Sequence, residues 1–276
     1  MIELPEAVTL ARQMRENIVG RRISSAVAGA SPHKFAWYSG DPGGYAERLH
    51  GRTITNAQAR GGIVEVELDG GLSLWFNDGP KLRLHAAGEV RPKKHQLLIE
   101  LDNGTALSSS IQMYGGLFCC SRQEMDKPYI VAHSQRPSPL SDQFDQAYFS
   151  GLLQDEKVPA MSAKAFLATE QRIPGLGNGV LQDILFSARI HPKRKVTTLT
   201  ESEISSLYHA IKETLKQMAD EGGRDTETDL FGQPGGYTTR LSKHTVDKPC
   251  AICGEFITKE AYMGGSIYVC PGCQKL

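Results

Sequence analysis

Four cysteines near the C-terminus carry the plainest chemistry in the chain. Cys250-Ala-Ile-Cys253 and Cys270-Pro-Gly-Cys273 are two C-x-x-C knuckles with sixteen residues between them, a spacing that reads as a zinc site. Zn²⁺ prefers four thiolates in a tetrahedron, and each knuckle turns tightly enough to aim two sulfurs at one point. Pro249 and Pro271-Gly272 supply turn residues. Ser266–Val269 reads as a strand, and Gly254 and Gly264-Gly265 permit sharp bends. Such a hairpin cannot bury a core without its metal, so a structural Zn²⁺ is expected on Cys250, Cys253, Cys270 and Cys273. Two disulfides or a redox pair are the rivals. No secretory signal favours the first, and no βαβ pattern surrounds the cysteines to favour the second. A closed four-cysteine site has no open position for substrate, so it should shape a surface.

Two other stretches place reactive groups on rigid elements. Met1-Ile2-Glu3-Leu4-Pro5-Glu6 leads straight into a helix expected over residues 4–19, whose Leu4, Val8, Ala11, Met14 and Ile18 share one face. Pro5 and Glu6 suit a first turn. The terminal amine and Glu3 are thereby held by the helix, although Glu3 and Glu6 could equally be an ordinary acidic helix start. Further on, Ile173-Pro-Gly-Leu-Gly177-Asn178 is a glycine-rich turn between two helical stretches.

The 276 residues imply about two domains. The apolar runs fall far short of the ~20 residues of a membrane span, and the acidic N-terminus does not resemble a signal peptide. Cys119 and Cys120 end an apolar strand and read as buried thiols. This cysteine usage points to a reducing, cytoplasmic setting. The net charge is zero, which by itself argues mildly against nucleic-acid binding. The cations are clustered, however, in Arg91-Pro-Lys-Lys-His95, His191-Pro-Lys-Arg-Lys195 and Arg240-Leu-Ser-Lys-His244. Each cluster is either a solvated loop or a binding patch.

In chain order, residues 20–131 read as β-structure. Ile63–Leu68 alternates with period two, Asp69-Gly-Gly71 turns and Leu72–Phe76 returns. Leu97–Leu101 and Thr105–Leu107 flank Asp102-Asn-Gly104, a strong hairpin signal. Short strands so spaced indicate a sandwich or a barrel. Residues 132–141 are polar and proline-rich and read as a linker. Helices follow at 142–153, at 162–169 with Ser162 as N-cap, at 180–188, and from a Thr200/Glu203 capping box to Gly222. Residues 222–236 carry five glycines and no period, so a mobile loop is expected there.

Glu3-Leu-Pro-Glu6, Pro174-Gly-Leu-Gly-Asn178 and the four-cysteine hairpin occur in one order along the chain. Singly each motif is weak; together they resemble the Fpg/Nei family, the formamidopyrimidine-DNA glycosylases and endonuclease VIII-like enzymes. His191-Pro192 matches that family as well, and the resemblance spans essentially the whole chain. It implies an α+β fold: an N-terminal helix plus β-sandwich (1–131), a helix–two-turn–helix domain (142–240) and a zinc hairpin (241–276). It implies a base-excision repair enzyme, a monomer associated with the nucleoid, acting on double-stranded DNA that holds a damaged base or abasic site. Gly177 and Asn178 would hold a phosphate near the lesion. The damaged base would be flipped out, and Gln112, Met113 and Tyr114, at a hairpin tip, would fill the gap. Tyr114 could equally be a core residue. Lys93, from the first basic cluster, joins these expected DNA contacts. The family nucleophile is the amine of an N-terminal proline, and the next glutamate is its acid/base. Here that implies Ile2 or Met1 as nucleophile, with Glu3 and Glu6 beside it.

This sequence departs from the family at four places. Ile2 stands at the proline, Gly62 at a lysine, Gly265 at a phosphate-binding arginine and Met113 at an arginine. A primary amine still forms a Schiff base, and an ordinary α-amine, with a pKa of ~8, is partly free base at neutral pH. Methionine removal before a bulky isoleucine is disfavoured, and retention shifts the amine by one residue, up to ~3.8 Å. Two readings follow: an active glycosylase or AP lyase, and a catalytically silent binder of damaged DNA. An RNA-associated protein on the same scaffold is a third.

Overall fold

The computed structural model describes residues 1–276. Helix α1 (Leu4–Asn17) belongs to two cores at once. Its Ala7, Leu10, Ala11 and Met14 join a cluster of 27 buried residues drawn mostly from β-strands. Its Leu4 joins a second cluster of 23, drawn mostly from helices. At its start Glu3 N–H donates to Glu6 Oε2 at 3.2 Å, and Pro5 fills a first-turn position that needs no N–H.

Seven strands form one sheet: β1 (Ile23–Ala28), β2 (Ala36–Tyr38), β3 (Ile54–Arg60), β4 (Ile63–Leu68), β5 (Leu72–His85), β6 (Leu97–Leu101) and β7 (Ala106–Ser121). Their order is β1-β6-β7-β5-β4-β3, and β2 adds to β7 in parallel. The long strands β5 and β7 run side by side. The first half of β5 also pairs with β4, and the first half of β7 with β6. Two half-sheets thus share a spine, and their inner faces meet in the 27-residue cluster as the expected sandwich. Both expected hairpin turns are present, with Gly104 at φ 77°. Strand β5 runs on past Phe76 through Pro80, which is tolerated because the register breaks between Asp78 and Pro80. A short helix α2 (Tyr45–Leu49) interrupts the β-region and buries Tyr45 and Leu49. Two apolar residues are too few to show a helical period.

The helical half holds α3 (Pro128–Gln135), α4 (Gln146–Leu152), α5 (Ala163–Ala168), α6 (Val180–Ser187) and α7 (Glu201–Asp220). The stretch read as a linker from residue 132 begins inside α3. Pro128 opens that helix, and Arg136, extended before Pro137, closes it. Helix α4 starts at Gln146 because Asp145 is its cap, accepting from Tyr148 N–H at 2.7 Å. Ser162 and Thr200 cap α5 and α7 as expected. The chain closes with a hairpin, β8 (Thr258–Tyr262) and β9 (Gly265–Val269), turning at Met263-Gly264 with both residues at positive φ. No helix is long and apolar enough to cross a membrane.

Candidate active site

Glu3 leaves the start of α1 and meets the start of α6. Its Oε1 accepts Gly179 N–H at 2.8 Å and its Oε2 accepts Val180 N–H at 2.7 Å. The first N–H groups of α6 lack helical partners, so a carboxylate there satisfies them. The approach needs glycine: a Cβ on Gly177 would lie 2.7 Å from Glu3 Oε1, and one on Gly179 would lie 1.5 Å from the Arg224 guanidinium. This is why the Gly-Leu-Gly-Asn turn and the N-terminal acids belong to one site.

Arg224 comes from the loop after α7 and lies buried between Glu3 and Glu6. Its Nε and Nη2 donate to the two Glu6 oxygens at 2.9 and 2.8 Å, a bidentate pair, and its Nη1 stands 3.6 Å from Glu3 Oε2. The two carboxylates are pushed apart in acidity. Burial raises the Glu3 pKa above the usual range, more than Arg224 and the α6 N–H groups lower it. Burial also opposes ionised Glu6, but the bidentate Arg224 outweighs it and holds Glu6 below that range. Neighbouring carboxylates with opposed shifts are the arrangement by which acid and base roles can be divided.

A cleft of about 710 Å³ opens over this group. Met1, Glu3, Gly177, Asn178, Tyr114 and Lys164 are among the residues lining it. The Met1 amine is part-exposed and pairs with Glu227 Oε2 at 2.7 Å. Ile2 is differently placed. Its side chain is buried in the β-core, and its N–H donates to Asp78 O at 2.6 Å. Asn178 Nδ2 donates to Ser266 O at 3.0 Å, which ties α6 to the hairpin.

Gln112, Met113 and Tyr114 are not at a hairpin tip. They lie in the middle of β7, opposite the register break of β5, where Asp78 pairs with Gly115 and Pro80 with Ile111. Three residues there face only Gly79, so they are forced outward; Met113 is 66% exposed. Lys93 is exposed on the loop before β6 and does not line the cleft. The basic stretch 191–195 is spent internally: Lys193 pairs with Glu260, Arg194 with Glu203, and Lys195 Nζ donates to Ala160 O.

Three contributors have no motif in the sequence. Arg224 and Glu227 lie in the glycine-rich stretch expected to be mobile, which is instead pinned. Gln13 bonds to both Asp229 and Leu230 N–H, and Leu230 enters the β-core. The one available signal was an unexplained arginine among glycines. Lys164 reaches from α5 to donate to Tyr262 O at 2.7 Å. Its ammonium lies 3.5 Å from where a Cβ on Gly265 would be, so a cation stands beside the position at which the resemblance has arginine. Gly62, at the missing lysine, packs tightly: a Cβ there would lie 3.2 Å from both Gly175 Cα and Ile2 O.

The four cysteine sulfurs lie within 4.8 Å of one another. Cys250 and Cys273 are 3.8 Å apart and Cys253 and Cys270 3.3 Å, close to the ~3.8 Å edge of a tetrahedron with ~2.3 Å metal–sulfur bonds. Four sulfurs converging at this spacing suit a single cation. The group can hold a metal ion. Cys119 and Cys120 are buried thiols, as expected.

A terminal amine beside an acid of raised pKa, a helix start at the edge of a cleft and a cysteine-stapled hairpin opposite define a class with known relatives. Residues 1–144 match the formamidopyrimidine-DNA glycosylase N-terminal domain, and residues 136–229 match the formamidopyrimidine-DNA glycosylase H2TH domain. The chain belongs to the formamidopyrimidine-DNA glycosylase family. It is 28% identical to the formamidopyrimidine-DNA glycosylase of Thermus thermophilus, over 99% of this chain and 98% of that one. With the enzyme of Gluconobacter oxydans it shares 29% over the whole of both. The crystal structure of the Thermus thermophilus MutM (Fpg) protein superposes with a TM-score of 0.81 at 27% identity, covering 99% and 98% of the two chains. Lactococcus lactis Fpg in complex with DNA containing an abasic site superposes with a TM-score of 0.84 at 25% identity, covering 99% and 100%.

Proposed function

We propose that this member of the DNA glycosylase family excises damaged bases from double-stranded DNA, and acts on abasic sites, through the amine of Met1 with Glu3 as acid/base. The carrying observation is Glu3, which lines the same cleft as Met1 and is held there with Arg224, itself paired behind to Glu6. The base is flipped out of the stack to expose the sugar C1′. The amine attacks C1′ as the bond from C1′ to the base breaks, and the base leaves with a proton from the nitrogen. Glu3 then donates a proton to the ring oxygen as the C1′–O4′ bond breaks, and the resulting protonated Schiff base permits elimination of the 3′-phosphate. Ile2 is excluded as nucleophile while Met1 is retained, since its N–H is an amide bonded to Asp78 O.

Gly177, Asn178 and Lys164 grip the phosphate flanking the lesion, and Gln112, Met113 and Tyr114 fill the space the base leaves. The four cysteines hold a structural Zn²⁺ that fixes the hairpin against α6; the ion stiffens the DNA-facing surface and takes no part in the chemistry. One chain supplies every group of the site, which suits a monomer working on the nucleoid. The cations facing the cleft are few, so duplex binding should show a shallow salt dependence.

Borohydride trapping on a duplex with one abasic site tests this reading. A covalent adduct is expected, and mass spectrometry should place the link on Met1. Absence of an adduct, with no base released from any lesion, would instead favour a silent damaged-DNA binder.

A further inference from the structure

The family chemistry relies on a secondary amine that this chain lacks, and the structure places an additional carboxylate against the amine it has. Glu227 Oε2 lies 2.7 Å from the Met1 nitrogen. The Glu227 backbone is fixed in its loop on both sides: its N–H donates to Arg224 O at 3.1 Å, and its carbonyl accepts Gly235 N–H at 3.2 Å. Arg224 in turn donates to Met1 O at 3.5 Å. The loop therefore positions both ends of the first residue. Glu3 accepts two α6 N–H groups and faces Arg224, whereas Glu227 is the carboxylate in contact with the amine.

Resting on the function proposed above, we infer that Glu227 is the base and then the acid for the Met1 amine. Glu227 takes a proton from the ammonium, and the nitrogen lone pair attacks the C1′ aldehyde of the ring-opened abasic sugar. The C–N bond forms as the carbonyl π pair moves to oxygen, and a proton passes from nitrogen to that oxygen. Glu227 returns its proton to the carbinolamine hydroxyl, the C–O bond breaks and water leaves. A protonated imine remains beside the Glu227 carboxylate, with net charge conserved.

An exposed ion pair is worth only several-fold. General acid–base assistance contributes roughly 10²–10⁴-fold, so assistance wins. The other titratable or charged groups lining the cavities at the amine are Glu3 and Glu6 at the start of α1, Arg224 on the loop, Asp78 and Lys81 on β5, Lys164 on α5, and Tyr114 and Tyr129 across the cleft.

Single-turnover borohydride trapping on the abasic duplex, from pH 6 to 9.5, separates the possibilities for the full chain and its Glu227→Gln and Glu227→Asp variants. At pH 7 Glu227→Gln should trap on the order of 100-fold more slowly, with Glu227→Asp between it and the parent. The deficit should narrow above about pH 8, where an ordinary α-amine loses its proton to water. A Glu227→Gln variant that traps as fast as the parent, or faster, overturns the inference, as does a deficit independent of pH. Each of those leaves the amine reading intact. No adduct with the parent protein overturns both.

Discussion

The cysteine cluster and the buried carboxylate site differ in how far apart their parts lie along the chain. The outermost cysteine pair in contact, Cys250 and Cys273, is separated by 23 positions. Arg224 and Glu6, the bidentate pair of the other site, are separated by 218. The first is a local device: two tight turns and a short hairpin bring its ligands together. The second exists only when α1 is pinned between both cores and the loop after α7 folds back over it. The difference teaches that chemistry can be carried by a motif or by an assembly, and that the two should fail differently.

The largest effect should come from the local device. Metal chelation, or Cys270→Ser, should loosen residues 241–276 and abolish tight DNA binding while the sheet stays folded. Structural zinc contributes ~10–16 kcal/mol in isolated fingers, enough to decide whether the hairpin folds at all. Hydrogen exchange would show it; simultaneous loss of protection in β4, β5 and β7 would show that the two regions are not separable.

The assembled site should respond next. Arg224→Met leaves two buried acids without their cation, and losing one partner of a buried pair costs about 3–5 kcal/mol. Urea unfolding would measure this, and adding Glu6→Gln should recover part of it because the residues are coupled. A loss below about 1 kcal/mol, the range of exposed pairs, would mean that the loop is dispensable to the fold.

A smaller effect concerns His133 at the seam between the halves. Burial drops its pKa from 6.5 to about 4, beside Gly62 N–H and Arg60 O. In the unfolded chain it takes up a proton near 6.5; in the folded chain it resists until about 4. Protonation therefore favours unfolding between those values. Its contribution is intact above about pH 6.5 and lost as pH falls toward 4, up to about 3 kcal/mol. The difference in stability between the parent and His133→Gln should change across that window and be flat above it. A difference that keeps one value from pH 8 to pH 4 would place the imidazole in a wetter site than the structure shows.

Much of the fold was legible before any coordinates. The period-two run of β4, the Asn103-Gly104 turn, the Ser162 cap and the Thr200/Glu203 capping box are short-range signals, and each element formed where its signal lay. The misplacements share a cause. Residues 112–114 looked like a hairpin tip, but a register break in the partner strand decided their exposure, and no local turn signal marks it. The stretch 222–236 looked mobile because glycine says nothing about long-range anchors such as Gln13. Lys93 looked like a contact because composition shows where charge is, not which way its loop faces.

The sequence by itself determined the ligand set, the capped helices, the strand patterning and the placement of Glu3 and Glu6 on a rigid start, since all of these depend on turns and periods a few residues long. Only the tertiary structure decided that Arg224 would part the two acids, that Glu227 would meet the amine and that Lys164 would stand beside Gly265. Those outcomes rest on burial and Coulomb interaction between residues brought together by packing, and neither quantity exists until both cores have closed around α1.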